Sequence, residues 1–392
     1  MIYLDHNATT APSPEVVTEM LDALQGAWAN PSSTHAPGQR ARRLLVDART
    51  RVASVLGCQG AELVFTSGAT EANHMALRGA LAMARGTGRR RLVLSAVEHP
   101  GLLALARRLQ AEGVPVDLIP VDAQGRLDLA AARALIGPDV ALVSVMGANN
   151  ETGVHLPIVA LAEITHDAGV PMHVDATQLV GKSHFDFARS GIALASVSAH
   201  KLHGPKGIGA LLVRKGLALP PLLEGRQERH RRGGTENLPG IAGFAAACER
   251  TAHTLSADLA RMALLRQRLE SGLLRALPDA RLLGDQAERL PNTCCLRFGE
   301  LDSERVLDRL ERAGVVASSG AACSAGGTQP SHVLLAMGLS AAQAKAGVRF
   351  SLGRDTTADE IERALDAAVR AIAPLLVREV AGEVADTRAA ID

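Results

Sequence analysis

The chain contains 392 residues, 47% of them apolar and 21% charged, a balance typical of folded globular proteins. Its length predicts about two domains, at roughly 100–200 residues for each. The formal net charge of +1 gives no electrostatic reason to expect nucleic acid or an anionic membrane surface as a partner.

The N-terminus lacks the charged segment and apolar stretch of a signal peptide, and no apolar run approaches the roughly 20 residues that span a bilayer. The five cysteines are odd in number and show no Cys-x-x-Cys spacing. This pattern argues against a disulfide framework or a zinc site and for a reducing compartment. We therefore expect a cytoplasmic protein without a bound metal.

Short apolar runs alternate with helical patterns from about residue 60 to residue 215. The predicted strands are 62–66, 92–95, 116–120, 140–146, 171–174, 195–198 and 209–213, and the predicted helices are 72–84, 101–112, 127–135 and 158–168. This alternation predicts an α/β fold with a mostly parallel, seven-stranded sheet covered on both faces. In such sheets ligands bind beyond the carboxyl ends of the strands.

The remaining sequence predicts a smaller α+β domain. Its predicted helices are 241–277, 303–313 and 359–377, and its predicted strands are 292–298, 315–318 and 345–351. We assign residues 14–255 to the large domain and residues 1–13 and 256–378 to the small one. Residues 379–392 are charged and rich in alanine, which predicts a frayed helix or a disordered tail.

An acid and a lysine at two predicted strand ends point to a cofactor. Asp175 ends one buried run, and Lys201 follows another and precedes a glycine-rich stretch. A lysine can hold pyridoxal phosphate as a Schiff base, and an acid can pair with its pyridinium nitrogen. The alternative is a surface lysine; the Ser-Ala-His before Lys201 and the spacing of Asp175 and Gln178 favour the cofactor.

Other polar residues follow strands at the same predicted edge. Free N–H groups at Ala69 and Thr70 suit a phosphate, although an ordinary capped helix start has the same pattern. His99 could stack on a planar cofactor or act as an acid or base, with a solvated loop histidine as the alternative. Asn150 could bond a ring substituent or a substrate carboxylate, or belong to an ordinary turn.

Two segments carry positive charge that suits an anion. Residues 229–237 combine arginines, glycines and Thr235, a pattern that a solvated run of charge would also give. Residues 349–354 end a strand of the second domain, where Arg354 could hold an α-carboxylate in a bidentate pair. A surface ion pair is the alternative for Arg354.

Cys323 lies in a stretch of small residues, 317–331. Cysteine is usually buried and inert, but nothing in this stretch could bury it, and the glycines would let the thiol reach more than one partner. An unperturbed thiol has a pKa of about 8.5, so a nearby cation or the substrate would have to activate it. The other cysteines lie in helical or strand patterns and are expected to be structural: Cys58, Cys248, Cys294 and Cys295.

The order of these segments along the chain resembles one known family. The shared motifs are YLDHNATT at 3–10, NPSS at 30–33, FTSGATE at 65–71, VEHP at 97–100, NNETG at 149–153, HVDATQ at 173–178, HK at 200–201, GTEN at 234–237 and the stretch around Cys323. Together they closely resemble the NifS/IscS class of cysteine desulfurases, which are fold-type I pyridoxal phosphate enzymes. The resemblance covers about residues 2–375.

The resemblance implies how the cofactor would be held. Lys201 would carry it, Asp175 and Gln178 would pair with the ring nitrogen and the ring hydroxyl, and His99 would stack on the ring and serve catalysis. The residues that would hold the phosphate are Ala69, Thr70, Ser198, His200 and, from a partner subunit, Thr235. A homodimer is therefore implied.

The implied reaction converts L-cysteine, positioned by Asn150 and Arg354, to L-alanine. Lys201 would remove the Cα proton, and the Cys323 thiolate would then attack the substrate sulfur and keep it as a persulfide. A sulfur-acceptor protein is the expected partner. The long Cys323 segment resembles the branch of the family that serves an iron–sulfur scaffold, while nitrogenase maturation and tRNA thiolation are alternatives.

Two positions depart from the family pattern, since His6 stands for the more usual Asn and Ala199 for a Gly. Neither touches a reacting atom in the expected scheme. The rival functions are an aminotransferase or β-lyase, in which Cys323 is incidental, and a catalytically idle scaffold that docks sulfur-assembly proteins. Selenocysteine lyase activity is a close variant of the expected chemistry.

Overall fold

The computed structural model of the chain describes residues 1–320 and 329–389. Over these residues the strands are β1 (Ile2–Tyr3), β2 (Leu63–Thr66), β3 (Arg91–Ser95), β4 (Val116–Ile119), β5 (Val140–Met146), β6 (Met172–Asp175), β7 (Leu194–Ser198), β8 (Gly209–Val213), β9 (Ala280–Leu282), β10 (Thr293–Phe298), β11 (Val315–Val316) and β12 (Val348–Ser351). The helices are α1 (Pro14–Gly26), α2 (Ala36–Leu56), α3 (Ala69–Met83), α4 (Pro100–Ala111), α5 (Leu129–Leu135), α6 (Ile158–Asp167), α7 (Gln227–His230), α8 (Leu238–Ala276), α9 (Ser303–Arg312), α10 (His332–Ala336), α11 (Ala341–Lys345) and α12 (Ala358–Ala389).

The large sheet has seven strands in the order β2-β8-β7-β6-β5-β3-β4. Neighbours from β7 to β4 pair in parallel, whereas β8 runs antiparallel to both β7 and β2. The predicted α/β fold with a mostly parallel seven-stranded sheet is therefore confirmed. Because β6 and β7 are adjacent and parallel, their carboxyl ends bring Asp175 and the residues after Ser198 to the same edge.

Alternating side chains of the sheet enter different apolar cores. Leu92 and Leu94 of β3 pack with α3 and α4 on one face, while Val93 packs into the core on the other face. All seven residues of β5 are buried. Strands covered on both faces have no solvent side for polar residues, which explains their continuous apolar sequence.

A further apolar core lies around the small sheet, in which β10 pairs antiparallel with β12 and β9. The long helix α8 contributes to two cores, with Ile241 and Phe244 in the large-sheet core and Leu265 and Leu269 in this one. The predicted domain boundary after residue 255 lies between those two parts of α8. The division into two domains at this position remains a prediction.

Several regions differ from the sequence prediction. The predicted strand 345–351 is too long, because Ser340 and Gln343 form a capping box that starts α11, and β12 begins only at Val348. Of the two alternatives for the tail, the structure has the helical one as far as Ala389, as a continuation of α12. Helices α1 and α2 have no counterpart in the prediction. No helix in the described part of the chain is both long and apolar enough to cross a membrane.

Candidate active site

A cavity of about 500 Å³ opens at the carboxyl ends of the large-sheet strands. Most of the predicted site residues line it together: Ala69, Thr70, His99, Asn150, Asp175, Gln178, Ser198, His200 and Lys201. A larger cavity of about 650 Å³ lies beside α3 and α4 and includes Arg78 and Arg85, but none of these site residues. The convergence of titratable groups, rather than volume, therefore identifies the candidate site.

Lys201 reaches the cavity through a 3₁₀ turn, Ala199–Lys201, that directly follows β7. Its Nζ donates to the backbone carbonyls of Asn7 and Ala8 at 2.5 and 2.8 Å. The turn is tight because Gly204 packs back on it: a Cβ at Gly204 would lie 2.8 Å from the Ala199 carbonyl oxygen. The amine is thereby held at the cavity wall by the N-terminal segment.

Asp175 is the last residue of β6 and is 6% exposed. Its Oδ2 accepts a hydrogen bond of 2.8 Å from Asn73 Nδ2, and its Oδ1 accepts one of 3.0 Å from the Thr177 backbone N–H. Two donors on separate elements fix the orientation of the carboxylate. A fixed acid at the inner end of the cavity suits a partner that carries a positive charge.

The opposite end of the cavity is the start of α3. Gly68 precedes this 15-residue helix and provides no side-chain cap for its first N–H groups, at Ala69 and Thr70. Gly209 of β8 packs closely behind, since a Cβ there would lie 2.8 Å from Gly68 Cα and 2.5 Å from the Val197 carbonyl oxygen. Uncapped N–H groups and the positive end of the helix dipole favour an anion at this end.

Two histidines on the cavity wall are neutral. His99 caps α4 by accepting from the Gly101 N–H at Nδ1, at 3.1 Å, which places the ring proton on Nε2. Burial lowers the pKa of His99, and the nearby Lys201 lowers it further. Burial, followed by Lys201 and Lys206, lowers the pKa of His200 to about 4. Both rings therefore remain uncharged near neutral pH.

Another part of the cavity wall is held by hydrogen bonds from side chains to backbone carbonyls. The Asn150 carbonyl accepts from Asn7 Nδ2 at 3.2 Å and from Arg349 Nη1 at 2.9 Å. Gln178 Nε2 donates to the Asn7 carbonyl at 3.0 Å. Asn7 therefore joins the N-terminal segment to the two cavity residues that the sequence prediction names for ring or substrate contacts.

Two predicted residues do not line the cavity of the chain that carries them. Arg354 is buried and donates from Nη2 to Thr251 Oγ1 at 2.6 Å, and its Nε and Nη1 have no partner among the described residues. Thr235 is exposed; its segment reaches the cavity through Arg232, which pairs with Glu71 at 2.8 Å. The predicted sulfur acceptor, Cys323, lies outside the described residues.

The segment before Thr235 has an unusual backbone. Glu228, Arg229 and His230 have φ values of 47°, 58° and 63°, a left-handed conformation that costs non-glycine residues roughly 1–2 kcal/mol each. The buried Glu228 carboxylate offsets part of this cost by pairing with Arg49 in a bidentate bridge at 2.5 and 2.9 Å. The segment that precedes Thr235 is thereby fixed on α2.

Several cavity or cavity-supporting residues were not predicted. Asn73 and Thr177 contact Asp175, and Lys206 lines the cavity. Asn73 lies one turn after Ala69, so helix periodicity places it on the cavity side, whereas Thr177 lies in the turn after β6 and follows no such period. Lys206 lies in the glycine-rich stretch after Lys201, where positive charge was the available signal.

The chain is similar to known proteins over almost its whole length. The family model for class-V aminotransferases matches residues 2–364. Cysteine desulfurases of Rhodobacter capsulatus and Cereibacter sphaeroides are 50% and 47% identical to the chain, over 97% of it and 97% and 99% of their own lengths. The chain belongs to the cysteine desulfurases of the class-V aminotransferase family. A solved NifS-like protein superposes on this cysteine desulfurase with a TM-score of 0.89 and 34% identity, covering 95% and 99% of the two chains.

Pyridoxal phosphate is the cofactor of this family of cysteine desulfurases, and the cavity fits it. The cavity has uncapped helix N–H groups at one end and a fixed acid at the other, with the Lys201 amine on its wall. In addition, the buried Thr177 Oγ1 lines the cavity without a hydrogen-bond partner among the described residues. A ligand with an anionic group, a ring nitrogen and an aldehyde would satisfy the first three of these features.

Proposed function

We propose that this enzyme converts L-cysteine to L-alanine and retains the sulfur on Cys323 as a persulfide. One observation links the Cys323 segment to the cavity. Both of its described flanks contact the buried Glu151: Ser331 Oγ donates to Oε2 at 2.5 Å, and a Cβ at Gly320 would lie 2.7 Å from the same atom. Glu151 directly follows Asn150, which lines the cavity.

Each residue of the site has a proposed role in binding. The bound cofactor supplies an electron-withdrawing ring next to the substrate Cα. Asp175 balances the charge of the ring nitrogen, Gln178 bonds the ring oxygen, and His99 stacks on the ring. The phosphate is held by Ala69, Thr70, Ser198 and His200, and by Thr235 of the partner subunit. Asn150 holds the substrate. The same proposed role for Arg354 requires its side chain to leave Thr251, because it does not line the cavity.

The proton and sulfur transfers use two side chains. Lys201 Nζ removes the Cα proton, which requires the amine to be unprotonated at that step. The Cys323 thiolate attacks the substrate sulfur, so a sulfur–sulfur bond forms as the carbon–sulfur bond breaks. The electron pair of the broken bond ends in a new C–H bond of alanine, and Cys323 keeps the persulfide.

The other cysteines are poor candidates for this step. Burial raises the pKa of the Cys58 and Cys295 thiols to about 12, and it also raises the pKa of Cys248 and Cys294. A thiol with so high a pKa holds almost no thiolate near neutral pH. Their chemistry therefore supports Cys323 as the acceptor.

We further propose that the enzyme is a homodimer. Thr235 is exposed and lies outside the cavity of the chain that carries it, which suits a residue that completes a partner's site. Four exposed apolar side chains also follow one another along α1 and just beyond it, at intervals of three or four residues: Val17, Leu21, Leu24 and Trp28. Such a continuous apolar row suits burial against a second copy.

The proposed acceptor of the persulfide sulfur is an iron–sulfur scaffold protein. The likeness to NifS-like proteins supports this proposal. We also propose that the enzyme serves nitrogen fixation. A cytoplasmic location is proposed with it. A pull-down with the persulfide-loaded enzyme, followed by identification of the protein that takes up the sulfur, tests the acceptor.

The test of the main proposal compares Cys323→Ala with Lys201→Ala. We expect Cys323→Ala to lose alanine and sulfide production from cysteine while retaining the visible absorbance of the lysine-bound cofactor. Lys201→Ala should lose both the absorbance and the activity. The variant Cys58→Ala serves as the control and should keep both. Unchanged turnover in Cys323→Ala would favour a β-lyase or aminotransferase and contradict the persulfide mechanism.

A further inference from the structure

A second lysine lies buried directly behind the cavity wall. Lys182 is 5% exposed, and its Nζ donates to Oε1 of Gln178. Gln178 Nε2 donates in turn to the Asn7 carbonyl at 3.0 Å, and that carbonyl also accepts from Lys201 Nζ at 2.5 Å. A short hydrogen-bond chain therefore runs from Lys182 through Gln178 and Asn7 to Lys201.

Lysine is rare in this chain, which makes a buried one informative. The sequence has 42 lysine and arginine residues, but lysine occurs only at positions 182, 201, 206, 215 and 345. Lys201 and Lys206 line the cavity, and Lys182 supports it. Unlike arginine, lysine is a compact donor that readily loses its proton when it is buried.

Two cations act with Lys182, namely Lys201 and Arg349, and Arg349 also pairs with Asp5 at 2.6 Å. The other titratable neighbours, His6 and His200, are neutral near pH 7 because burial lowers the pKa of each to about 4. Burial lowers the pKa of Lys182 well below its usual value, and Lys201 and Arg349 lower it further. A bound anion would offset the positive potential of these cations, so the electrostatics near Lys182 favour an anion.

The contact with Lys182 determines which way the Gln178 amide points. An amide offers an acceptor on one side and two N–H donors on the other. The Asn7 carbonyl can only accept, and Lys182 donates, so Oε1 faces Lys182 and Nε2 faces Asn7. The second N–H of Nε2 is then left for the cavity, which Gln178 lines.

We propose that Lys182 is a positioning residue that holds Gln178 with an amide donor toward the ring oxygen of the cofactor. This inference rests on the proposed role of Gln178 in binding that oxygen. In the absence of Lys182, Oε1 would be buried without its donor, and the amide would turn toward other groups. Lys182 thus acts on the cofactor through Gln178, and its protonated form also opposes protonation of the Lys201 nitrogen.

The test measures cofactor affinity and the pH midpoint of the visible absorbance change of the holoenzyme. We expect Lys182→Met to weaken pyridoxal phosphate binding by about tenfold, as for the loss of one buried hydrogen bond. The pH midpoint should move upward, because the protonated form of Lys182 opposes protonation of the Lys201 nitrogen and is absent from the variant. Lys182→Gln keeps a donor and should bind the cofactor more tightly than Lys182→Met, while it shows the same shift of the midpoint.

A double-mutant cycle tests whether Lys182 affects cofactor affinity through Gln178. In a Gln178→Met background, Lys182→Met should cause no further loss of affinity, whereas a merely structural role would give additive losses. Lys215→Met, on the exposed surface, is the matched control and should change neither the cofactor affinity nor the pH midpoint. Additive losses, or an unchanged affinity and midpoint in Lys182→Met, would overturn the inference. The proposed function itself would fail separately, if Lys201→Ala retained the absorbance band.

Discussion

Asn73 Nδ2 donates a hydrogen bond of 2.8 Å to Asp175 Oδ2, and so joins the second turn of α3 to the end of β6. The contact connects the helix whose start is the proposed phosphate site to the acid of the cavity. Both residues are buried, so the bond is shielded from competing water.

Asn73→Ala should therefore weaken cofactor binding. The loss of one hydrogen bond to a charged group is worth about 1.5–3 kcal/mol, which corresponds to roughly a tenfold or greater rise in the dissociation constant. Asn73→Asp should weaken binding further, because it places a second carboxylate beside Asp175. Titration of the cofactor-free protein with pyridoxal phosphate measures both effects. Equal affinity in all three proteins would exclude Asn73 from the support of Asp175.

Asn73 also illustrates what the sequence could and could not predict. The position of Asp175 was predictable from the local sequence, because an acid that ends a buried apolar run lies at the carboxyl end of a strand in a parallel sheet. The partner of Asp175 is 102 residues away, and a single buried contact of this kind leaves no periodic pattern. For the same reason Lys182 was not predicted to support Gln178, although it lies only four residues beyond it.

The strands of the large sheet were predictable because they are covered on both faces. The apolar sequence of β5 permits no other environment for the strand. Arg354 marks the limit of this reasoning: its place after a strand was correct, but its burial against Thr251 depends on α8, which no local pattern includes. The position of Thr235 depends likewise on contacts distant in sequence. These are the ion pair of Arg232 with Glu71 at the cavity and the left-handed residues 228–230.

Gly209→Ala should disturb the start of α3, where we propose that the phosphate binds. A Cβ at this position would lie 2.8 Å from Gly68 Cα and 2.5 Å from a backbone oxygen, so the backbone before α3 must move. We expect a loss of cofactor affinity of at least tenfold, with a fall in stability of about 1–3 kcal/mol. Equilibrium dialysis and thermal unfolding measure the two quantities.

Gly26→Ala is the matched control for Gly209→Ala. A Cβ at Gly26 meets nothing within 4 Å, and alanine suits a helix better than glycine does. This variant should bind the cofactor normally and be as stable as the parent or slightly more stable. An equal loss of affinity in both variants would show that the Gly209–Gly68 approach has no special importance.

Glu98 should make stability depend on pH. It is fully buried beneath the cavity, its Oε1 accepts from Ser95 and from the Met146 N–H, and its Oε2 has no partner among the described residues. Burial, together with the charge of Asp175, raises the pKa of Glu98 to about 8. The folded protein therefore holds a proton that the unfolded chain releases above its ordinary pKa of 4.5.

It follows that this contribution to stability is fully present below about pH 4.5 and is lost as the pH rises toward 8. The slope approaches about 1.4 kcal/mol for each pH unit in that window, for one proton. Glu98→Gln, which cannot ionise, should remove the slope, so the difference in free energy of unfolding between variant and parent should change with pH. A constant difference across the window would mean that Glu98 ionises normally.

Gly320→Ala separates sulfur transfer from cofactor binding. A Cβ at Gly320 would lie 2.7 Å from Glu151 Oε2 and 2.8 Å from Glu151 Cβ, so one flank of the Cys323 segment must shift. We expect persulfide formation to slow by roughly tenfold or more, as for a misplaced reacting group. The affinity for pyridoxal phosphate should remain unchanged. Radiolabelled sulfur on the protein measures the first quantity, and a parallel loss of affinity would contradict the separation.

Trp28, at the end of the apolar row on α1, is the sole tryptophan of the chain and is 75% exposed. The tryptophan fluorescence of the protein therefore comes from this one surface position. Its emission wavelength reports the polarity of whatever covers α1, and a buried indole emits further to the blue than one in water. The same side chain will say little about the melting of the sheet, whose unfolding must be followed by other signals.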